Sequence, residues 1–289
     1  MSIRNAIIGL MISMFFVGCE KDEIIVDDNV APPDHTVSAL VIETYINKCY
    51  ISLLGRKPTA QEESEAKSTL EASNLSEESR RNMLSPIVQS AEYRTKLLET
   101  QSIRLLTLPL DIEDLEFRLE VLNSYLTNPE FTQFTNLILA EIARLEELIN
   151  TPQDVAAGNL TMAQLHKRLV NNLFYDELNM GSFNLVVSLY NHFLFRDPSD
   201  AETQAGITMV DGFTSVVFYT NGSSKEEFID IFFNSNDYYE GTVREIFYRY
   251  LFREPTTEEL NYHTVNYKAS DDFQELQKAI LSLDEFVGL

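Results

Sequence analysis

Three copies of one thirteen-residue stretch constrain the fold of this chain more than any other feature. They occupy Tyr50–Glu62, Tyr190–Glu202 and Phe247–Glu259. Each copy has an aromatic residue six positions before an Arg, a Leu two before it and a Pro two after it, followed by Ser/Thr-x-x-Glu. Ser/Thr-x-x-Glu is the capping box that begins a helix, and Pro disfavours helix in the residue before it. Each copy therefore predicts a helix that ends, a tight corner, and a second helix.

Nine residues of these copies are interpreted as structural caps. The hydroxyl accepts a hydrogen bond from the N–H three residues on, and the Glu carboxylate accepts one from the cap residue's own N–H. The Arg lies in the last turn of the first helix, where its charge complements the negative helix end. Three catalytic Arg–Glu pairs are the alternative, but capping explains the spacing without them. The cap residues are Arg56, Thr59, Glu62, Arg196, Ser199, Glu202, Arg253, Thr256 and Glu259.

Each unit also ends alike. Ser-x-acid-aromatic closes the first two units at Ser90–Tyr93 and Ser235–Tyr238, and Ser282–Phe286 is a looser version. The two motifs together resemble an all-helical domain of unknown function from bacterial secreted and surface proteins, distantly similar to phycobilisome linker domains. The resemblance covers residues 40–98 and 183–289. It implies a helical interaction module and provides no catalytic residues to transfer.

The first nineteen residues predict an address. Arg4 precedes the apolar run Ile7–Val17, which is too short to span a membrane as a mature helix and is typical of a secretory signal. Because the run ends in Val-Gly-Cys, residues 1–18 resemble a bacterial lipoprotein signal, and Cys19 is the expected lipidated N-terminus. An uncleaved N-terminal anchor is the alternative.

An acidic cluster follows the cysteine. It resembles the surface-export tag of Bacteroidota-type lipoproteins, and a plain solvated tether is the alternative. Its members are Glu20, Lys21, Asp22 and Glu23. Residues 19–37 are predicted to be a tether because they lack periodicity and contain Pro32-Pro33. We expect an outer-membrane, lipid-anchored protein that faces the cell surface, with a periplasm-facing one as the alternative.

The charge limits the partners. The formal net charge is −23, which disfavours nucleic acid and anionic membrane surfaces and favours solubility. Cys49 is the only cysteine after Cys19, so no disulfide is expected within the mature chain, and Cys49 is interpreted as a small buried hydrophobe.

Scarce glycines and prolines and long periodic segments predict an all-α, multi-helix bundle of two to three units. The expected divisions are helical unit 1 (38–100), a helical hairpin (101–160), unit 2 (161–241) and unit 3 (242–289). A single helix is expected from Ser76 to about Lys96, and another from Thr161 to about Asp176.

Residues 111–150 predict an antiparallel helical hairpin. Its first helix has apolar residues at alternating spacings of three and four, as in a coiled-coil seam. Asn128-Pro129-Glu130 supplies a cap for the return helix, which Thr151-Pro152 is expected to end. The stripe predicts a core face or a partner surface. The seam residues are Ile112, Leu115, Leu119, Leu122 and Leu126, then Phe131, Phe134, Ile138, Ile142, Leu145 and Ile149.

One segment departs from the helical pattern. Phe213–Asn221 is β-branched and aromatic and lies between glycines. A helix extension, a strand-like loop and an exposed binding patch are all compatible with it. Phe213, Phe218 and Tyr219 are the binding candidates within it.

No local motif for catalysis, metal or cofactor is present. The four histidines, His35, His166, His192 and His263, have unrelated contexts, and none belongs to a zinc-protease motif. His192 is expected to be partly exposed. We therefore expect a non-enzymatic accessory or scaffold subunit that binds another envelope protein, with no cofactor. A surface glycan- or nutrient-binding lipoprotein is the alternative, and a hydrolase comes third.

Overall fold

The computed structural model describes residues 38–289. This part of the chain folds into fifteen α-helices, one 3-10 helix and a two-stranded sheet. The all-α class predicted from the sequence is confirmed. The predictions for the signal peptide (1–18), Cys19, the acidic residues Glu20–Glu23 and the tether (19–37) lie outside the described residues.

Unit 1 contains four helices. Ser90 divides the helix that the sequence predicted from Ser76 to Lys96, so that prediction was wrong. Ser90 is extended (φ −69°, ψ 152°); its hydroxyl donates to the Ile87 carbonyl (2.7 Å) and accepts from the Tyr93 N–H (3.1 Å), which ends one helix and begins the next. The helices are α1 (Ala39–Leu54), α2 (Ala60–Ala72), α3 (Glu77–Gln89) and α4 (Ala91–Leu106).

The predicted hairpin consists of α5 (Ile112–Thr127), a 3-10 turn (Pro129–Phe134) and α6 (Thr135–Ala157). The expected end at Thr151-Pro152 was wrong, because α6 continues through the proline. Arg168 stabilises this continuation from the neighbouring helix: its Nη1 donates to the Glu147 carbonyl before the proline (3.2 Å) and to Asp154 after it (2.7 Å).

Unit 2 begins with α7 (Met162–Val170) and α8 (Leu173–Leu178), where a single helix to Asp176 was expected. Asn172 breaks that helix because its side chain caps α8 by accepting from the Tyr175 N–H at 3.0 Å. The remaining elements are α9 (Ser182–Leu194), α10 (Asp200–Val210), β1 (Ser215–Val217), β2 (Thr220–Gly222) and α11 (Lys225–Asn234).

Unit 3 contains α12 (Asn236–Leu251), α13 (Thr257–Ser270), α14 (Phe273–Leu281) and α15 (Asp284–Val287). Helix α12 spans the expected boundary between 161–241 and 242–289. At Gly241 it lies so close to the end of α9 that a Cβ would overlap the Phe193 carbonyl oxygen.

Large aromatic rings form the centre of the core. Phe193 of α9 packs edge-on against Phe233 of α11 (4.9 Å between ring centroids), and Phe233 packs in the same way against Tyr238 of α12 (5.1 Å). These rings join the second and third units. Cys49 is fully buried in the core, and burial raises the pKa of its thiol to about 12.

Candidate functional sites

Each repeated Arg lies between two carboxylates at a helix corner, two residues after the last residue of the first helix, so the position expected in that helix's last turn was wrong. In the third copy Arg253 Nη1 and Nη2 donate to Glu259 (2.9 and 2.7 Å), and Nη1 also donates to the Glu254 carbonyl (3.0 Å). Nε and Nη2 donate to Glu285 (2.8 and 2.7 Å). All five donors of a guanidinium lie in one plane, so a single Arg can hold both carboxylates side by side.

The other two copies repeat this arrangement. Arg56 binds Glu62 and Glu92 at 2.6–2.9 Å, and Arg196 binds Glu202 at 2.7–2.9 Å and Asp237 at 3.3 Å. Each capping Glu also accepts from its cap residue's backbone N–H, and the cap hydroxyl accepts in return. Hydrogen bonds from the Arg lower the pKa of the capping carboxyl to about 2 in Glu62, Glu202 and Glu259.

The aromatic residue of the motif contacts the same Arg. The guanidinium carbon lies over the ring six positions earlier, at cation–π distances of 5.0 to 5.7 Å from the centroid. The pairs are Arg56–Tyr50, Arg196–Tyr190 and Arg253–Phe247. The aromatic residue, the Arg, the cap residue and the Glu of the motif therefore each have a partner in the structure, and the second carboxylate comes from the closing motif, a link that the sequence did not show.

A buried polar network joins α4, α7 and α12. His166 Nδ1 lies 2.9 Å from the Tyr238 hydroxyl, and its Nε2 lies 3.1 Å from Gln101 Oε1 and 3.2 Å from Arg104 Nη2. Burial, together with the Arg104 charge, lowers the pKa of His166 well below its usual value. The partly exposed His192 contacts the Tyr175 hydroxyl at 2.9 Å. Both histidines therefore have hydrogen-bonding partners within the fold.

The segment at Phe213–Asn221 forms a tight β-hairpin. Val217 pairs with Thr220, so Phe218 and Tyr219 are the two turn residues, and both have positive φ (47° and 63°). A two-residue turn of this kind favours Asn and Gly, because other side chains clash with the backbone there. The Asn221-Gly222 dipeptide of the sequence lies in β2 and not in the turn, which Phe218 and Tyr219 occupy, so the sequence could not select this structure among its three alternatives.

The turn separates its two aromatic residues. Phe218 stacks on Tyr190 (5.9 Å, 20°) and packs edge-on against Phe232 (5.8 Å), so it belongs to the core margin. Tyr219 is fully exposed, and Phe213 is two-thirds exposed. A cleft of about 470 Å³ lies beside the turn. Its lining includes Phe218, Tyr219, Asn234, Asn236, Asp237 and Lys268.

The helical hairpin is packed at its base and exposed toward its tip. On α6, Ile142, Leu145 and Leu148 are buried, whereas every residue from 116 to 137 is at least partly exposed. We call residues 112–141 the arm. Its exposed apolar side chains include Phe117, Tyr125, Leu126, Phe134, Leu137 and Leu139.

An apolar groove of about 300 Å³ lies where the arm meets α8. Phe117, Val121 and Leu122 of α5 form one wall, and Leu173 and Phe174 of α8 form the other. Arg118 borders the groove, with its guanidinium 4.3 Å from the Phe174 ring centre. The predicted seam is thus core at its base and exposed surface beyond it.

No protein-family model matches the chain, and neither a curated protein nor a solved structure matches it. The resemblance to the all-helical domain of unknown function therefore stays a prediction. In the part of the chain from residue 38 onward, no helix is long and apolar enough to cross a membrane. Within that same part, no group of His, Cys, Asp and Glu is arranged to hold a metal ion.

Proposed function

We propose that this protein is an outer-membrane lipoprotein, anchored through Cys19 and facing the cell surface, that serves as a non-enzymatic accessory subunit of an envelope complex. The observation that carries this proposal is the arm, which exposes aromatic and aliphatic side chains outside a complete core. Exposed apolar patches of this kind mark interaction surfaces in soluble domains.

The charge of the hairpin indicates the chemistry of its partner. Residues 111–150 contain nine acidic residues and two arginines. Several of the acids, including Glu113, Glu116 and Glu120, are exposed on α5 beside Phe117. A complementary partner has an apolar strip bordered by Lys or Arg, since opposite charges at the rim steer association and suppress wrong partners. A second copy of this acidic chain fits poorly.

The charged repeats support a non-enzymatic role. The three Arg residues and their carboxylates are occupied by one another at helix corners, as a cap requires. Both ring nitrogens of His166 likewise have partners within the buried polar network.

The test uses the native lipidated protein, solubilised from its own envelope in mild detergent and captured by affinity. We expect one stoichiometric membrane-protein partner whose binding weakens with added salt. Phe117→Ser should abolish capture, whereas Val265→Ser, which replaces an equally exposed apolar side chain on α13, should leave capture unchanged. Capture of the same partner by the Phe117→Ser variant would exclude the arm as the binding surface.

The anchor is tested separately. Cys19→Ala should abolish incorporation of labelled palmitate and leave the signal peptide of residues 1–18 uncleaved. Replacing Glu20, Asp22 and Glu23 with Ala should protect the protein from protease added to intact cells. Unchanged digestion of that variant would contradict the export role of the acidic cluster.

A further inference from the structure

We propose that the cleft beside the β-hairpin is a binding site for a neutral saccharide, with Tyr219 as its stacking platform. A sugar ring has an apolar C–H face and a rim of hydroxyl groups. A site for it therefore needs an exposed aromatic face next to planar polar side chains. The cleft provides both, and its volume of about 470 Å³ lies within the usual range for small-ligand sites.

The conformation of Tyr219 is held rather than free. The β1–β2 pairing fixes both ends of the turn. Phe218, the first turn residue, is held by the packing of its ring against Tyr190 and Phe232. The second turn residue is forced to a φ of 63° and its ring into solvent. Strained backbone that persists in a structure is concentrated at binding sites. A Tyr with few rotatable bonds also loses little entropy when it contacts a ligand.

The walls of the cleft match hydroxyl groups, which both donate and accept. Asn234 uses one amide hydrogen on the Asp230 carbonyl (2.8 Å), and its second amide hydrogen and its oxygen remain for a ligand. Asp237 binds Arg196 through Oδ2 (3.3 Å), so its Oδ1 is an acceptor. Lys268, which lies 5.7 Å from the Tyr239 ring centre, supplies ammonium donors.

Charge favours a neutral ligand over an acidic one. Asp230 is paired with Lys167, and Asp237 with Arg196, so the cleft itself is nearly balanced. The whole chain has a net charge of −23, which repels polyanions at long range. Sulfated and uronate-rich polymers are therefore expected to bind poorly.

The experiment measures retardation of the full-length lipidated protein in native detergent gels that contain one polysaccharide each. The probes are dextran, galactomannan and xyloglucan, with chondroitin sulfate as the polyanion. We expect retardation by at least one neutral polymer. Tyr219→Ala should weaken it by about tenfold or more, as loss of an aromatic anchor does, and Tyr219→Phe should preserve it. Tyr248→Ala, which removes an exposed Tyr of α12 outside the cleft, is the matched control.

Lys268→Gln provides a second variant that leaves the hairpin intact, and we expect it to weaken retardation as well. The proposal is overturned if no neutral polymer retards the protein, if Tyr219→Ala and Tyr248→Ala behave alike, or if chondroitin sulfate binds as well as the neutral polymers. The Phe117→Ser variant should retain saccharide binding, so failure of this site and failure of the arm as a partner surface are distinguishable.

Discussion

Arg253 and Glu285 are joined by three hydrogen bonds across 32 positions of sequence, at 2.7, 2.8 and 3.1 Å. Arg56 and Glu92 are joined by two hydrogen bonds, at 2.6 and 2.7 Å, across 36 positions. In the first and third units the Arg at the corner therefore holds the helix that closes the unit as well as the helix that begins at the corner. The repeat consists of a local cap and a long-range ion pair that share one guanidinium.

Arg253→Gln is expected to lower the free energy of unfolding by about 1–2 kcal/mol, because Glu259 and Glu285 lose a bidentate partner and are left side by side. The side chain is one-third exposed, so solvent screening limits the effect. Urea unfolding followed by circular dichroism measures it. Arg244→Gln removes only a surface pair with Glu254 and should cost less than about 0.5 kcal/mol. Equal losses in both variants would contradict the special role of the corner.

Ser199→Ala is expected to destabilise the protein by about 1 kcal/mol, the usual effect of losing an N-cap. The Ser199 hydroxyl accepts from the Glu202 N–H at 3.3 Å, and alanine cannot. Ser68→Ala, at an exposed position in the middle of α2, is the control and should be neutral or slightly stabilising because Ala has the higher helix propensity. Identical thermal unfolding of Ser199→Ala and the wild type would disprove the cap.

The corners were predictable because their signal is local. Thr256 and Glu259 are three residues apart, and the chemistry of a capping box requires only that spacing. The partner of Arg253 was not predictable, because Glu285 is brought to it by the packing of α15. The partners of His166 were not predictable for the same reason. Gln101 and Tyr238 come from distant helices, and no sequence pattern joins them.

The candidate sites were predicted only as segments. Phe218 and Tyr219 were singled out by the composition of their segment. Their turn itself was not predicted, because a turn with two positive φ values usually has Asn-Gly at its two central positions. Tertiary packing of Phe218 overrides that preference. For the arm, a seam with spacings of three and four predicts a helical pair and does not say how far that pair extends beyond its neighbours.

Tyr219→Gly is expected to stabilise the protein by about 1 kcal/mol, because glycine adopts positive φ without the clash that an L side chain suffers. Tyr219→Ala should have almost no effect on stability, since alanine keeps the strain and the lost side chain is fully exposed. Thermal unfolding of both variants separates strain relief from loss of the ring. Equal stability of the Gly and Ala variants would show that the turn is not strained.

Gly241→Ala is expected to destabilise the protein by about 3 kcal/mol, at the upper end of overpacking effects. The added methyl group would meet the backbone carbonyl of Phe193, which cannot move without shifting α9. Gly206→Ala is the matched control in α10, since its methyl group would meet the side chains of Val186 and Phe228 (2.8 and 3.2 Å). Both side chains are buried and would have to shift, but no backbone is in the way and the helix-propensity gain of about 1 kcal/mol opposes the crowding, so we expect a smaller loss than at Gly241. A mild effect at Gly241 would contradict the close approach of α9 and α12.

Acid should destabilise the protein in two stages. The pKa of buried His166 is well below its usual value of 6.5, so below pH 6.5 the unfolded chain binds a proton that the folded chain does not. The contribution of neutral His166 to the free energy of unfolding is therefore fully present above pH 6.5 and decreases as the pH falls below that value. The capping carboxyls have the same sign at lower pH: their pKa is lowered from 4.5 to about 2, so their contribution is present above pH 4.5 and is lost toward pH 2. Urea unfolding at intervals from pH 8 to pH 3 measures both stages.

His166→Gln should be less stable at pH 8 and should lose less stability between pH 7 and pH 5. The reason is that the variant lacks the pH dependence of the free energy of unfolding that binding of one proton causes, about 1.4 kcal/mol per pH unit at its steepest. An unchanged slope in that interval would mean that His166 is not the group that the folded state keeps neutral.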